Sequence, residues 1–139
     1  MGVIMAIFNW QDEYNVNIKE IDDQHRELVA MINELYGAMV KRRPQETLGE
    51  ILNKLSGYCD IHFSTEETLM QTHGYPYFQE HKDIHNKVRA KVKELRDGFN
   101  SGKTSLTIEV SMFLKDWLDK HIIGTDQKYA AFLRNKGVK

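Results

Sequence analysis

Residues 48–69 read LGEILNKLSGYCDIHFSTEETL, and one stripe through them decides the fold. Leu48, Leu52, Leu55, Cys59, His62, Glu66 and Leu69 recur at intervals of three and four, the period of one face of an α-helix. The stripe begins apolar and then places a histidine and a carboxylate where core residues belong. The spacing predicts a helix over about residues 45–73, opening just after Pro44 and closing at Gly74, a residue suited to a left-handed C-cap.

Working outward, the same period appears three more times. A helix over about residues 20–41 carries Ile21, His25, Leu28, Ile32, Leu35 and Met39. Another, over about 77–99, carries Phe78, His81, His85, Val88, Val92, Leu95 and Phe99. A fourth, from about residue 105, carries Leu106, Val110, Leu114, Trp117 and His121. No strand-turn-strand pattern occurs, and both prolines fall at joints between helices. Joints of a few residues force neighbours to run antiparallel, so the fold expected is an all-α, up-down-up-down four-helix bundle. A single domain spanning residues 1–139 is expected, with the bundle over 19–139. Residues 1–18, with Phe8, Trp10, Tyr14, Val16 and Ile18, form an extended N-terminal arm packed over it.

Composition bounds the function. In 139 residues, 19 basic side chains meet 20 acidic ones for a net charge of -1, which leaves no positive field for a nucleic acid. The basic triplet Lys41-Arg42-Arg43 ends a helix, where cations suit the dipole. The apolar start MGVIMAIF is too short for a membrane span and lacks a basic flank, so no membrane association is expected. The single cysteine, Cys59, cannot form an internal disulfide, which fits a reducing, cytoplasmic setting.

His62/Glu66 and His81/His85 are each four apart and aim two donors in one direction. Such a pair is common on solvated helix faces. Whether several pairs meet depends on height. At about 1.5 Å per residue, His25 stands roughly 24 Å from the first joint and His62 roughly 25 Å. His62/Glu66 and His81/His85 lie roughly 13 and 10 Å from the second joint, and His81/His85 and His121 each roughly 24 Å from the third. All four helices therefore deliver ligands to one layer. His73 lies about 16 Å from that layer along the axis and is expected at the surface or in a cap. Five histidines and two acids turned inward need compensation for burial, and metal supplies it. Nitrogen donors with carboxylates suit iron, zinc, copper or manganese, and seven donors exceed what one ion uses, so two ions bridged by carboxylates are expected.

Four stretches carry a family resemblance: FNWQDEYNVNIKEIDDQH at 8–25, HFSTEETLM at 62–70, HGYPYFQEHKDIH at 73–85 and FLKDWLDKHIIGTDQKY at 113–129. In these the chain resembles the hemerythrins, specifically the bacteriohemerythrins, over essentially its whole length. The resemblance implies two iron ions joined by an oxo or hydroxo group. One iron would take His81, His85 and His121, the other His25 and His62, with Glu66 and Asp126 bridging both. The two-histidine iron then keeps one open position, for reversible dioxygen binding. The activity implied is oxygen carriage, storage or delivery, without catalysis. An apolar wall of Leu28, Cys59, Trp117 and Ile122, each within one turn of a ligand, is expected around that position.

Two other readings stay open from sequence. One is an oxygen-sensing, signalling domain of the same family, whose protein partner the sequence does not identify. The other is a metallohydrolase with zinc or manganese at a two-metal site, which would need a general base beyond the ligand layer.

One spacing does not fit a regular helix. His121 and Asp126 are five apart, and at about 100° per residue the acid would point roughly 140° away from the histidine. The fourth helix is therefore expected to carry a π-bulge or a break between them, with Gly124 its natural place.

Overall fold

The computed structural model describes residues 8–102 and 108–139, with the backbone alone described for 108–110, 122 and 123. Helix α1 spans Lys19–Val40, α2 Gln45–Thr72, α3 Phe78–Asn100 and α4 Ile108–Lys120. A π-helical segment, His121–Asp126, continues α4 into α5, Gln127–Asn135, so the last three elements form one rod. Helix α1 packs on α2 and α4, and α2 on α3, which makes the four-helix bundle. No strand occurs among the described residues. The expected start of the fourth helix at about residue 105, with Leu106, lies outside them, as do the first seven residues of the arm and the side chain of Val110.

The ends of the helices follow their sequence. Pro44 is the N-cap of α2, and Gly74 closes it at φ 71°. Tyr75 N–H returns to Met70 O at 2.8 Å and Gly74 N–H to Gln71 O at 3.3 Å, a Schellman closure that glycine enters without strain. His73 is the C-cap of this helix, away from the histidine layer. At the end of α1 the left-handed residue is Arg42, at φ 52°, and Arg43 N–H closes on Ala38 O at 2.9 Å. The basic triplet therefore does more than place charge at a helix end: its middle member turns the chain.

The arm is tied down by polar groups as well as by apolar burial. Asn33 clamps Phe8 in both directions, accepting from its N–H at 2.9 Å and donating to its carbonyl at 2.7 Å. Asp22 accepts from Val16 N–H at 2.8 Å and Asn17 N–H at 3.1 Å, which stabilises the left-handed Asn17 at φ 62°. Phe8, Tyr14, Val16 and Ile18 are buried. Residues Asp12–Tyr14 form a 3-10 turn, so the arm is extended only on either side of it.

The apolar core divides in two. One cluster gathers Leu28, Ile32, Leu35, Leu52, Leu55, Phe63, Val92 and Leu118; the other gathers Ile18, Ile21, Met70, Tyr129 and Leu133. Between them lies a layer of buried polar side chains.

Candidate metal centre

Each helix lends that layer what its stripe predicts. His25 comes from α1, His62 and Glu66 from α2, His81 and His85 from α3, and His121 and Asp126 from the two ends of the π segment. All seven are buried. In a π-helix hydrogen bonds run from residue i to i+5, so residue 126 sits over residue 121, and a five-residue spacing brings both side chains inward. His121 Nε2 and Asp126 Oδ1 lie 2.9 Å apart. The irregularity is where the sequence places it and takes the π form, spread over His121–Asp126 and not centred on Gly124. Gly124 keeps a helical φ, and a Cβ added there meets nothing within 4 Å.

The two oxygens of Glu66 face different partners. Oε1 meets His62 Nε2 and, at 3.4 Å, His25 Nε2. Oε2 meets His85, His81 and His121 Nε2 at 3.3, 3.5 and 3.7 Å. Asp126 divides likewise, with Oδ2 at 2.9 Å from His25 Nε2, and Oδ1 at 2.9 Å from His121 and 3.4 Å from His81. The donors thus fall into a two-histidine set and a three-histidine set sharing both carboxylates. Two groups, Glu66 with His81, His85 and His121, and His25 and His62 with Glu66 and Asp126, each bring their ligand atoms within 4.8 Å of one another and could hold a metal ion.

The chemistry of these atoms fits metal better than mutual hydrogen bonding. His25 Nε2, His62 Nε2, His81 Nε2 and all four carboxylate oxygens are buried with no hydrogen-bond partner, close to one another yet badly angled. Donor atoms gathered this closely without hydrogen-bond geometry are what a metal ion could take as ligands. Apart from the closer His62–Glu66 contact, the nitrogen–oxygen separations run from 2.9 to 3.7 Å, a crowding of donors that an ion could share.

Without metal, protons take up part of that role. Burial works to lower the pKa of His25 and His121, but Asp126 and Glu66 outweigh it and raise them to about 9 and about 10. Burial would raise Glu66, yet His62, His121 and His25 hold it well below the usual carboxylate range. Asp126 is lowered too, His121 and His25 prevailing over burial and the neighbouring Glu66. His62, unlike His25 and His121, is lowered, because burial wins.

Outer ring nitrogens fix the rings. His62 Nδ1 meets Gln24 Oε1 at 2.8 Å, and Gln24 Nε2 donates to Thr65 Oγ1 at 3.2 Å. His85 Nδ1 meets Glu67 Oε2 at 2.7 Å. Phe63 stacks on His85 with centroids 4.2 Å apart and Trp117 on His121 at 4.8 Å.

One turn from the layer lies a small apolar cavity of about 10 Å³, lined among others by Leu28, Cys59, Val88, Trp117 and Leu118. Its lining includes the residue three or four positions from a ligand on every helix of the bundle. Leu28, Cys59 and Trp117 of the expected wall are among them, and the side chain of Ile122 lies outside the described residues. The stripe missed Phe63 and Leu118, both buried. They lie on a second column beside the one traced, at Cys59 plus four and Leu114 plus four, and a two-column reading finds them.

Residues 16–133 match the family model described as hemerythrin HHE cation binding domain. The chain belongs to the hemerythrin family. It is 37% identical over 126 residues to the bacteriohemerythrin of Stenotrophomonas maltophilia (strain R551-3), covering 91% of this chain and 81% of that one. It is 33% identical to the bacteriohemerythrin of Methylococcus capsulatus, covering 93% and 98%. A crystal structure of wild-type hemerythrin superposes with a TM-score of 0.88 at 32% identity, covering 92% of this chain and 98% of that one. Among the described residues no helix is long and apolar enough to cross a membrane.

Proposed function

We propose that the protein binds dioxygen reversibly at a di-iron centre held by His25, His62, Glu66, His81, His85, His121 and Asp126, and serves as a carrier or store. The observation that carries this reading is the unequal division of the donors. With Glu66 and Asp126 each turning one oxygen to either side, the His25/His62 side has one protein donor fewer than the His81/His85/His121 side. A small exogenous molecule therefore has one place to bind.

Iron supplies the electrons that hold dioxygen. The side chains supply the rest. Glu66 and Asp126, kept anionic by the imidazoles around them, hold the pair together. Gln24 and Glu67 keep the rings of His62 and His85 turned inward. The apolar cavity is about the size that admits one water-sized molecule, and its lining offers no polar partner to hold water there. Protons are thereby kept from a bound ligand.

A hydrolytic enzyme would place a general base beside the metals. Apart from the seven donors, the one buried carboxylate described is Asp22, spent on capping the arm, and the buried hydroxyls are Ser111 and Tyr129, the latter beside Glu66 with its phenol raised well above its usual range by burial and so unsuited to act as a base. This favours binding over catalysis. A signalling role draws support from a different contact: Gln127 donates to Glu13 O and Asn15 O at 3.3 and 3.4 Å, so the helix after Asp126 is tied to the arm.

The test is spectroscopic. Iron-loaded, reduced protein should develop an intense visible absorption on exposure to dioxygen and lose it on purging with argon. Failure to bind about two irons, or a colour that argon does not reverse, would remove the reading.

A further inference from the structure

We propose that Glu67, held by Arg89, is a positioning residue that makes His85 the most electron-rich imidazole of the site and lowers the reduction potential of metal bound on the three-histidine side. The inference rests on the di-iron reading above.

Glu67 follows the shared donor Glu66 in sequence and so leaves the inner stripe of α2 for the α2/α3 seam. There its Oε2 lies 2.7 Å from His85 Nδ1 and 2.8 Å from Arg89 Nη1. A carboxylate only accepts, so Nδ1 carries the proton and Nε2 presents its lone pair inward. Arg89 is itself anchored. Its Nε donates to Asp60 at 2.9 Å and its Nη1 to Asn86 at 3.0 Å, and its guanidinium lies 5.3 Å from the centroid of Phe63, whose ring stacks on His85. The Glu67 and Arg89 side chains are 13% and 23% exposed, too little for water to screen the pair as it screens a surface one.

The arrangement is one-sided. His62 has a neutral amide at its outer nitrogen, and His25 Nδ1 has no hydrogen-bond partner among the described residues. The hydrogen-bond partner of His121 Nδ1 among the described residues is Thr125 Oγ1, at 3.5 Å. Among the described residues, His85 alone of the five meets a carboxylate with its outer nitrogen. Negative charge on that proton pushes electron density toward Nε2 and stabilises the oxidised metal, and Arg89 moderates the effect.

Charge and geometry can be separated. Glu67→Gln still accepts from Nδ1–H but removes the charge; Arg89→Met keeps the aliphatic stem over Phe63 but removes the moderating cation. In iron-loaded protein, redox titration should find the midpoint potential raised by Glu67→Gln and lowered by Arg89→Met. Glu67→Ala, which loses both functions, should weaken metal binding on this side roughly 10–100-fold. In metal-free protein, nitrogen NMR should find His85 as the Nδ1–H tautomer in the wild type and in Glu67→Gln, and lose that preference in Glu67→Ala. Opposite potential shifts with an unchanged tautomer support the proposal. Shifts of one sign, or none, in variants that keep two irons overturn it while leaving the di-iron reading intact. Wild-type protein without two irons overturns both.

Discussion

His121 and Asp126 stand five residues apart in sequence and 2.9 Å apart in space, Nε2 to Oδ1, because the backbone between them is π-helical. One extra residue in the turn is what lets the last rod contribute two donors. A π turn is rare and tends to occur at functional sites, so the donor pair and the irregular backbone explain each other.

Since Gly124 is helical and open, its lack of a side chain is not what makes the turn. Gly124→Ala should therefore stabilise the protein, by about 0.5–1 kcal/mol through reduced freedom of the unfolded chain, and leave metal content unchanged. Chemical denaturation checks this. A loss of stability or of metal would mean that the turn uses a conformation only glycine can supply.

The division of Glu66 and Asp126 between two donor sets predicts unequal losses. His62→Ala should leave the His81/His85/His121 set intact and lower the metal content from about two ions toward one. His121→Ala should do the same from the other side, whereas Glu66→Ala, which withdraws a donor from both sets, should empty the site further. Elemental analysis after gel filtration decides. Equal loss in all three variants would show that the sets do not bind independently.

What sequence revealed and what it hid have a common cause. Period alone brings His25, His62, His81, His85 and His121 to one level, since rise per residue and joint length determine height. The misfit of Asp126 is legible for the same reason: a wrong angle on a regular helix announces an irregular one. Partners across a seam are not legible this way. Glu67 looks like a solvated neighbour of Glu66 until α3 brings His85 and Arg89 against it. Arg42 in a left-handed turn is hidden too, because any local pattern would place glycine there.

Removing the metal should invert the pH dependence of stability. In the metal-free protein His25 and His121 are raised from 6.5 to about 9 and about 10, so what they contribute is fully present below pH 6.5 and is lost as pH rises through those values. Glu66 and Asp126 are lowered, so theirs is present above the usual carboxylate range of about 4 and is lost on acidification. His62, lowered by burial, offsets part of the gain below pH 6.5. The metal-free Tm should therefore peak at about pH 5–6.5 and fall toward pH 9, whereas loaded protein should keep its stability toward pH 9 and lose it in acid, where protons displace the metal. Metal-free protein that grows more stable from pH 6.5 to 9 would contradict the protonated pairs.

The apolar cavity one turn from the donor layer allows the proposed shielding of a bound ligand to be tested. Cys59 lines it, and burial pushes its thiol up to about 12, so it sits there as a small neutral apolar group. Cys59→Ser is nearly isosteric but places a hydroxyl where the lining has no partner for it, at a cost of about 1–3 kcal/mol. The same hydroxyl offers water a hydrogen bond one turn from His62. If the cavity protects bound dioxygen, the oxygenated form of this variant should decay faster than wild type, whereas Cys59→Ala, which enlarges the space without adding a polar group, should keep a decay rate close to wild type despite its own loss of stability. The decay of the visible absorption in air-saturated buffer measures both. If the two variants decay alike, whether both fast or both slow, polarity in this cavity does not govern the lifetime of the oxygenated state and the wall must lie elsewhere.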